Sequence, residues 1–266
     1  MKKIIILLPV LSFSLLLLGH EFWLHPDKYI YRPGETINLR FQSGNNYDGR
    51  NWNGNQDSVE RLQIFFDNVN DICTKNISGK KGDSLQLAVI DEGTAMLAFH
   101  STTFFIKQDA EDFNNYLQQN GIQNAIEYRT KNNELNKPGK EFYQRCAKTI
   151  IQVGSKRTNA YKKATGLKLD IIPKENPYAM AKDGDFKVMV LYKNKPLTNA
   201  TVKIWHRLGE KISTRNLKTD EEGEVKFFMA TSGEWMVSCT QTELSTNEAK
   251  ADWQSLCGTL TWGYTK

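Results

Sequence analysis

A histidine set directly behind an apolar leader carries the most specific chemistry in this sequence. The chain opens MKKIIILLPVLSFSLLLLG and continues HEFWLHPDKY. Lys2 and Lys3, the apolar run Ile4–Leu18 and the small residue Gly19 follow the order of a signal peptide, so cleavage is expected before His20. A histidine at a free amino terminus offers its α-amine and its Nδ1 as a chelating pair, whereas an internal histidine offers the ring alone. The ordinary α-amine pKa of about 7.7–8.0 lets a bound metal displace the proton readily near neutral pH.

The remaining candidates follow from donor chemistry. The chain has four histidines, His20, His25, His100 and His206, and imidazole is the commonest protein ligand for first-row metals. His206 closes an expected strand over Ala200–Arg207 and is the expected third nitrogen donor. Because His20 opens the first half of the chain and His206 belongs to the second, one ion would bridge the two. His25 lies on the opposite face from His20 if the segment is extended, so it joins a shared site only through a bend at Pro26. Glu21 and Asp252 are the nearby carboxylates expected to ligate the ion or to orient a ligand. His100, beside Phe99, reads as a sheet histidine, and Trp23, Trp205, Trp253 and Trp262 read as core. Nitrogen donors bind nickel, copper and zinc in an order set by the metal, which leaves its identity open. The chain contains no G-x-S-x-G, no H-E-x-x-H and no phosphate-cradling glycine loop, so no catalytic residue is assigned.

The elements that must position these residues are mostly strands. Thr36–Phe41 alternates polar and apolar side chains, and further strands are expected over 62–66, 85–90 and 96–105. The Gly- and Asn-rich stretch from Ser43 to Asn55 reads as a long surface loop. Phe113, Tyr116 and Leu117 fall at helical spacing behind Asp109, Glu111 and Asp112, and 125–132 is expected to form a second helix. Pro173 and Pro177 flank an expected domain boundary. The organisation is therefore a signal peptide over 1–19, an N-terminal β-rich domain with a helical segment over 20–175, and a second β unit over 176–266. Short strands at 186–192, 200–207, 225–229, 235–240 and 256–264 give that unit the pattern of a β-sandwich. The fold class is mainly β: two β-sandwich domains with a short helical insertion in or after the first. Export supplies oxidising conditions, and of three ways to pair Cys73, Cys146, Cys239 and Cys257 a Cys239–Cys257 disulfide is expected. The net charge of +5 is interspersed and falls by two as Lys2 and Lys3 leave, which argues against a nucleic-acid partner. Beyond the leader no apolar run is long enough to span a membrane.

HEFWLHPDKY, PGETINLRF, EFYQRCAKTIIQVG and KADWQSLCGTLTWGY together resemble the periplasmic HEFWL family of unknown function, related to accessory proteins of nickel and cobalt uptake. The chain departs from that pattern at Leu256-Cys257, where an aromatic residue is expected. NKPLTNATVKIWHR, TDEEGEVKF and SGEWMV resemble the carboxypeptidase-regulatory or transthyretin-like β-sandwich, which places that fold at 176–266. The resemblance implies a periplasmic protein that handles divalent nickel or cobalt and works with a membrane metal-transport system. Two alternatives remain: a copper-dependent oxidase using the His20 chelate, and a metal-free module binding glycan or envelope protein.

Overall fold

A computed structural model describes residues 21–67, 69–78, 84–89 and 91–266; the expected signal peptide and His20 lie outside the described residues. The architecture is built on one strand, Gly139–Val153, whose fifteen residues run through the middle of a ten-stranded sheet. On one side it pairs with Phe104–Gln108 and then Gly93–Ser101, both antiparallel. On the other side it runs parallel to Trp253–Gly263 and then to Ile30–Tyr31. The sheet continues outward to Val59–Phe66 and Val69–Ile72 in one direction. In the other it continues to Glu234–Leu244, Thr201–Leu208 and Lys211–Lys218.

The central sheet is the middle of three layers. Ala95, Leu97, Phe99, Ala147 and Ile151 face a core shared with Phe22, Leu24, Leu39 and Phe41. Met96, Ala98, Cys146 and Ile150, one position out of phase, face a second core with Leu169, Ile171, Phe186 and Val188. The first core is closed by a five-stranded sheet containing Glu21–Pro26, Thr36–Asn45 and Ser84–Ala88. The second is closed by a four-stranded sheet containing Leu169–Pro173, Gly184–Tyr192 and Glu224–Met229. A strand buried on both faces has no solvated parity, and all nine residues of Gly93–Ser101 are buried. The described residues are thus mainly β, with two sandwich-like cores and two α-helices, Ala110–Gln119 and Gln123–Lys131.

Hydrogen bonding does not stop at the expected boundary near residue 175. Leu169–Pro173 pairs with Gly184–Tyr192 across it, and the central sheet takes strands from both sides. The expected surface loop over 43–55 is instead largely a hairpin. Thr36–Asn45 and Asp48–Asn51 pair through the two-residue turn Asn46-Tyr47, both with positive φ, the backbone of a type I′ turn. Gly49 lets this hairpin close over Trp23, since a Cβ there would stand 2.3 Å from the indole ring.

Cys239 and Cys257 lie on adjacent strands but point to opposite faces, so the expected disulfide does not form. The register places Thr240, not Cys239, opposite Cys257, and side chains one residue apart alternate across a sheet. All four cysteines are free thiols.

Glu21–Pro26 is an edge strand, and its outward carbonyls need partners. Thr259 Oγ1 donates to Phe22 O at 2.7 Å and Thr261 Oγ1 to Leu24 O at 2.8 Å, which ties this strand to the central sheet. Thr259→Val and Thr261→Val keep the shape and remove these donors, leaving a buried carbonyl unpaired. Each is expected to lower stability by about 1–3 kcal/mol, read as a shift of the urea unfolding midpoint. Unchanged midpoints would show that the strand is held by apolar packing alone.

Candidate functional site

The strand Gly139–Val153 enters the sheet with a charged residue at a core parity. Glu141, Tyr143 and Arg145 share a face with Ala147 and Ile151, yet Glu141 is only 3% exposed. Directly across is Ile106, with Gln108 diagonal to it. The helix Ala110–Gln119 lies above, its Phe113 seated on Gly139, where a Cβ would stand 2.3 Å from the ring. That close approach brings Tyr116 over Glu141. Cys257 from the parallel neighbour strand, Lys203 from farther along the same central sheet and Glu21 from the five-stranded layer complete a cavity of about 120 Å³. Glu21 and Lys203 pair at 3.2 Å. Ser43, Tyr143 and Arg145 line both this cavity and an open surface depression beneath the Asn46-Tyr47 hairpin, which gives the cavity a mouth.

Burial dominates the electrostatics. The Glu141 carboxyl is pushed up to about 7 by desolvation, only partly offset by hydrogen bonds from Ser255 and Tyr116, and its Oε1 has no partner. The Cys257 thiol is pushed up to about 11 by burial and by Glu141, with Arg145 acting the other way. The Arg145 guanidinium lies 5.1 Å from the Phe22 ring centroid and 5.5 Å from that of Tyr143. It makes no ion pair among the described residues, and its Nε is buried without a partner. The cavity thus holds a carboxyl group that can exchange a proton near neutral pH, beside an uncompensated cation.

The residues expected to hold a metal are dispersed. His25 belongs to a separate polar contact, its Nδ1 3.8 Å from Glu234 Oε2. Burial, followed by Arg207 and Arg40, pushes its pKa down to about 4, so at neutral pH this contact joins a neutral ring to the acid. Arg207 also lies over the Tyr47 ring at 4.5 Å. His206 stacks on Trp235 with centroids 4.0 Å apart, and its Nε2 meets Ser232 O at 3.0 Å. Trp235 belongs to the second core, whereas the neighbouring Trp205 and Met236 pack with Trp23 on the other face. His206 is therefore on the face turned away from Glu21–Pro26. Asp252 is held by Lys137 at 3.2 Å. His100 is a sheet histidine, buried with its Nδ1 3.2 Å from Glu60. Among the described residues no three His, Cys, Asp or Glu side chains gather closely enough to hold a metal ion. Those residues alone do not form a metal shell, and an ion bound here would rest on His20. The residues that the sequence reading missed are Glu141, Gln108, Tyr116 and Arg145. Their signal was an acid and a base four positions apart on a core parity.

A family model described as "Domain of unknown function (DUF4198)" matches residues 17–243. No curated protein matches the sequence. Among solved structures, a tetra-tandem repeat from the extending region of a large adhesion protein is similar at 10% identity. It covers 92% of this chain and 50% of that one, with a TM-score of 0.22. The FN1-FN3 domains of chicken CNTN1 are similar at 8% identity, over 90% of this chain and 66% of that one, with a TM-score of 0.20. The chain thus spans half to two thirds of the length of these structures, and similarity at this level has no bearing on function.

The raised pKa of Glu141 has a consequence for stability. The folded state keeps a proton that the unfolded chain, with an ordinary carboxyl near 4.5, has already released. The stabilisation is complete below that value and is lost as pH rises through about 7, for a total of about 3 kcal/mol. Glu141→Gln cannot ionise and removes this slope. The melting temperature of the variant relative to the parent is expected to climb between about pH 5 and pH 8. A constant difference across that range would show that the carboxyl is not buried as described.

Proposed function

Since the chain belongs to the DUF4198 family, whose function is unknown, we propose from its own residues that it is an exported protein binding a divalent first-row transition metal through an amino-terminal His20. The observation that carries the reading is the placement of Glu21. This residue, covalently joined to His20, lines the Glu141 cavity and is held there by Lys203. Its strand is held by pairing with Thr36–Asn45 and by the two threonine hydroxyls from the central sheet. Anchoring of the residue next to the chelate lowers the ordering cost of coordination on that side, which favours tight binding. His206 faces away from that strand, so the ligand set proposed here omits it.

Within this reading the protein is periplasmic and accessory to metal uptake, delivering its ion to a membrane transport system. The resemblance of the HEFWL start favours nickel or cobalt, while an amine and imidazole pair also suits copper or zinc. Among the described residues no helix is long and apolar enough to cross a membrane.

The test begins with the intact mass of the exported protein, expected to correspond to a chain starting at His20. That sample and a form carrying one extra residue before His20 are then titrated with nickel and copper by calorimetry. Blocking the amine is expected to weaken binding by about tenfold or more, since a chelating donor is lost. Equal affinities in the two forms would overturn the amino-terminal chelate.

A further inference from the structure

The cavity around Glu141 carries a demand of its own, independent of any metal at His20. Glu141 and Gln108 both line it, and the Oε1 of each is buried without a hydrogen-bond partner. Two unpaired acceptors, one of them a carboxylate oxygen, are satisfied together by a group with several N–H donors, and a primary ammonium carries three. A buried carboxyl with an open oxygen is costly to leave unpaired. At the other end, where the cavity opens, Arg145 presents an unpaired Nε and a guanidinium with no acid among the described residues. A guanidinium is the side chain best shaped to grip a carboxylate.

Glu141 and Arg145 cannot satisfy one another. They lie four residues apart on one extended strand, about 13 Å between Cα atoms, and Tyr143 stands between them. The two charges therefore call for a third party that reaches both.

We propose that this cavity binds a small zwitterion whose ammonium and carboxylate are several bonds apart, an ω-amino acid, with the ammonium on Glu141 and Gln108 and the carboxylate on Arg145. The size agrees. The cavity measures about 120 Å³, and a 150 Å³ cavity is known to admit the six heavy atoms of benzene. A ligand of about six or seven heavy atoms fits if its carboxylate sits in the mouth. The direction of entry follows from the lining: Ser43, Tyr143 and Arg145 are shared with the surface depression, so the amine goes in first. An α-amino acid carries both charges on one carbon and cannot span the gap. The Glu21–Lys203 pair in the lining is already neutralised and adds no net charge.

The probe is γ-aminobutyrate, titrated by calorimetry into the mature protein after chelator treatment, at about pH 8 where Glu141 is ionised. Glycine, n-butylamine and butyrate are the comparison ligands. Losing one charge-assisted contact is expected to weaken binding about tenfold or more, so γ-aminobutyrate should exceed each of the three by that factor. Glu141→Gln and Arg145→Gln should each produce a similar loss. The ligand ranking on the parent protein stands without any variant, so a variant that fails to fold does not spare the proposal. Absence of measurable γ-aminobutyrate binding at millimolar concentration would overturn it, as would equal affinity for n-butylamine. It would also fall if the form with a residue before His20 still bound nickel and Glu141→Gln abolished that binding, because the cavity would then be a cation site. Chelator treatment and the blocked amino terminus keep this outcome separate from the fate of the His20 chelate.

Discussion

A strand buried on both faces must pack against two different layers with a period of two, and Gly139–Val153 meets that constraint residue by residue. Its odd positions belong to the core beneath Glu21–Pro26 and its even positions to the core beneath Gly184–Tyr192. No residue of its second half reaches solvent. The partners on either side inherit its phase. Met96 and Ala98 are forced onto one face, Ala95 and Leu97 onto the other, and the same alternation separates Cys239 from Cys257. A slip of one residue would exchange the two cores entirely.

The cavity is where that constraint relaxes. Toward its start the strand leaves the cover of the five-stranded sheet, and a helix takes over. Helix and sheet do not fill space alike, and the contact of Phe113 on Gly139 sets how closely they meet. The space left over is lined by the residues whose parity would otherwise place them in core. Glu141 is consequently buried without being packed, and desolvation raises its pKa. Farther along the strand, the Arg145 guanidinium lies against the Phe22 and Tyr143 rings at the mouth.

Local signals in the sequence were read well where the physics is local. The helix at Ala110–Gln119 was legible from Phe113, Tyr116 and Leu117 at helical spacing, with acids in its first turn. Strands announced by alternation, such as Thr36–Phe41, were legible too. The segment over 43–55 was misread because glycine and asparagine mark both loops and type I′ turns, and only pairing of the flanking residues tells them apart. His206 was placed correctly on its strand and correctly on the parity of Val202 and Ile204. The face it shares with them turned out to be the one opposite Glu21. Glu141 went unnoticed because an acid in a strand is ordinarily solvated.

By itself the sequence determined the leader-like start, the β class, the two helices and the turn chemistry, since each depends on residues within a few positions of one another. The tertiary structure alone decided which faces meet. The bonds from Thr259 to Phe22 and from Thr261 to Leu24 each join residues 237 positions apart. Alternation tells that a strand has two faces, but not what lies across each of them. That choice rests on long-range strand order and register, and it is what gathers Glu141, Arg145 and Cys257 around one cavity while leaving His25, His100 and His206 apart.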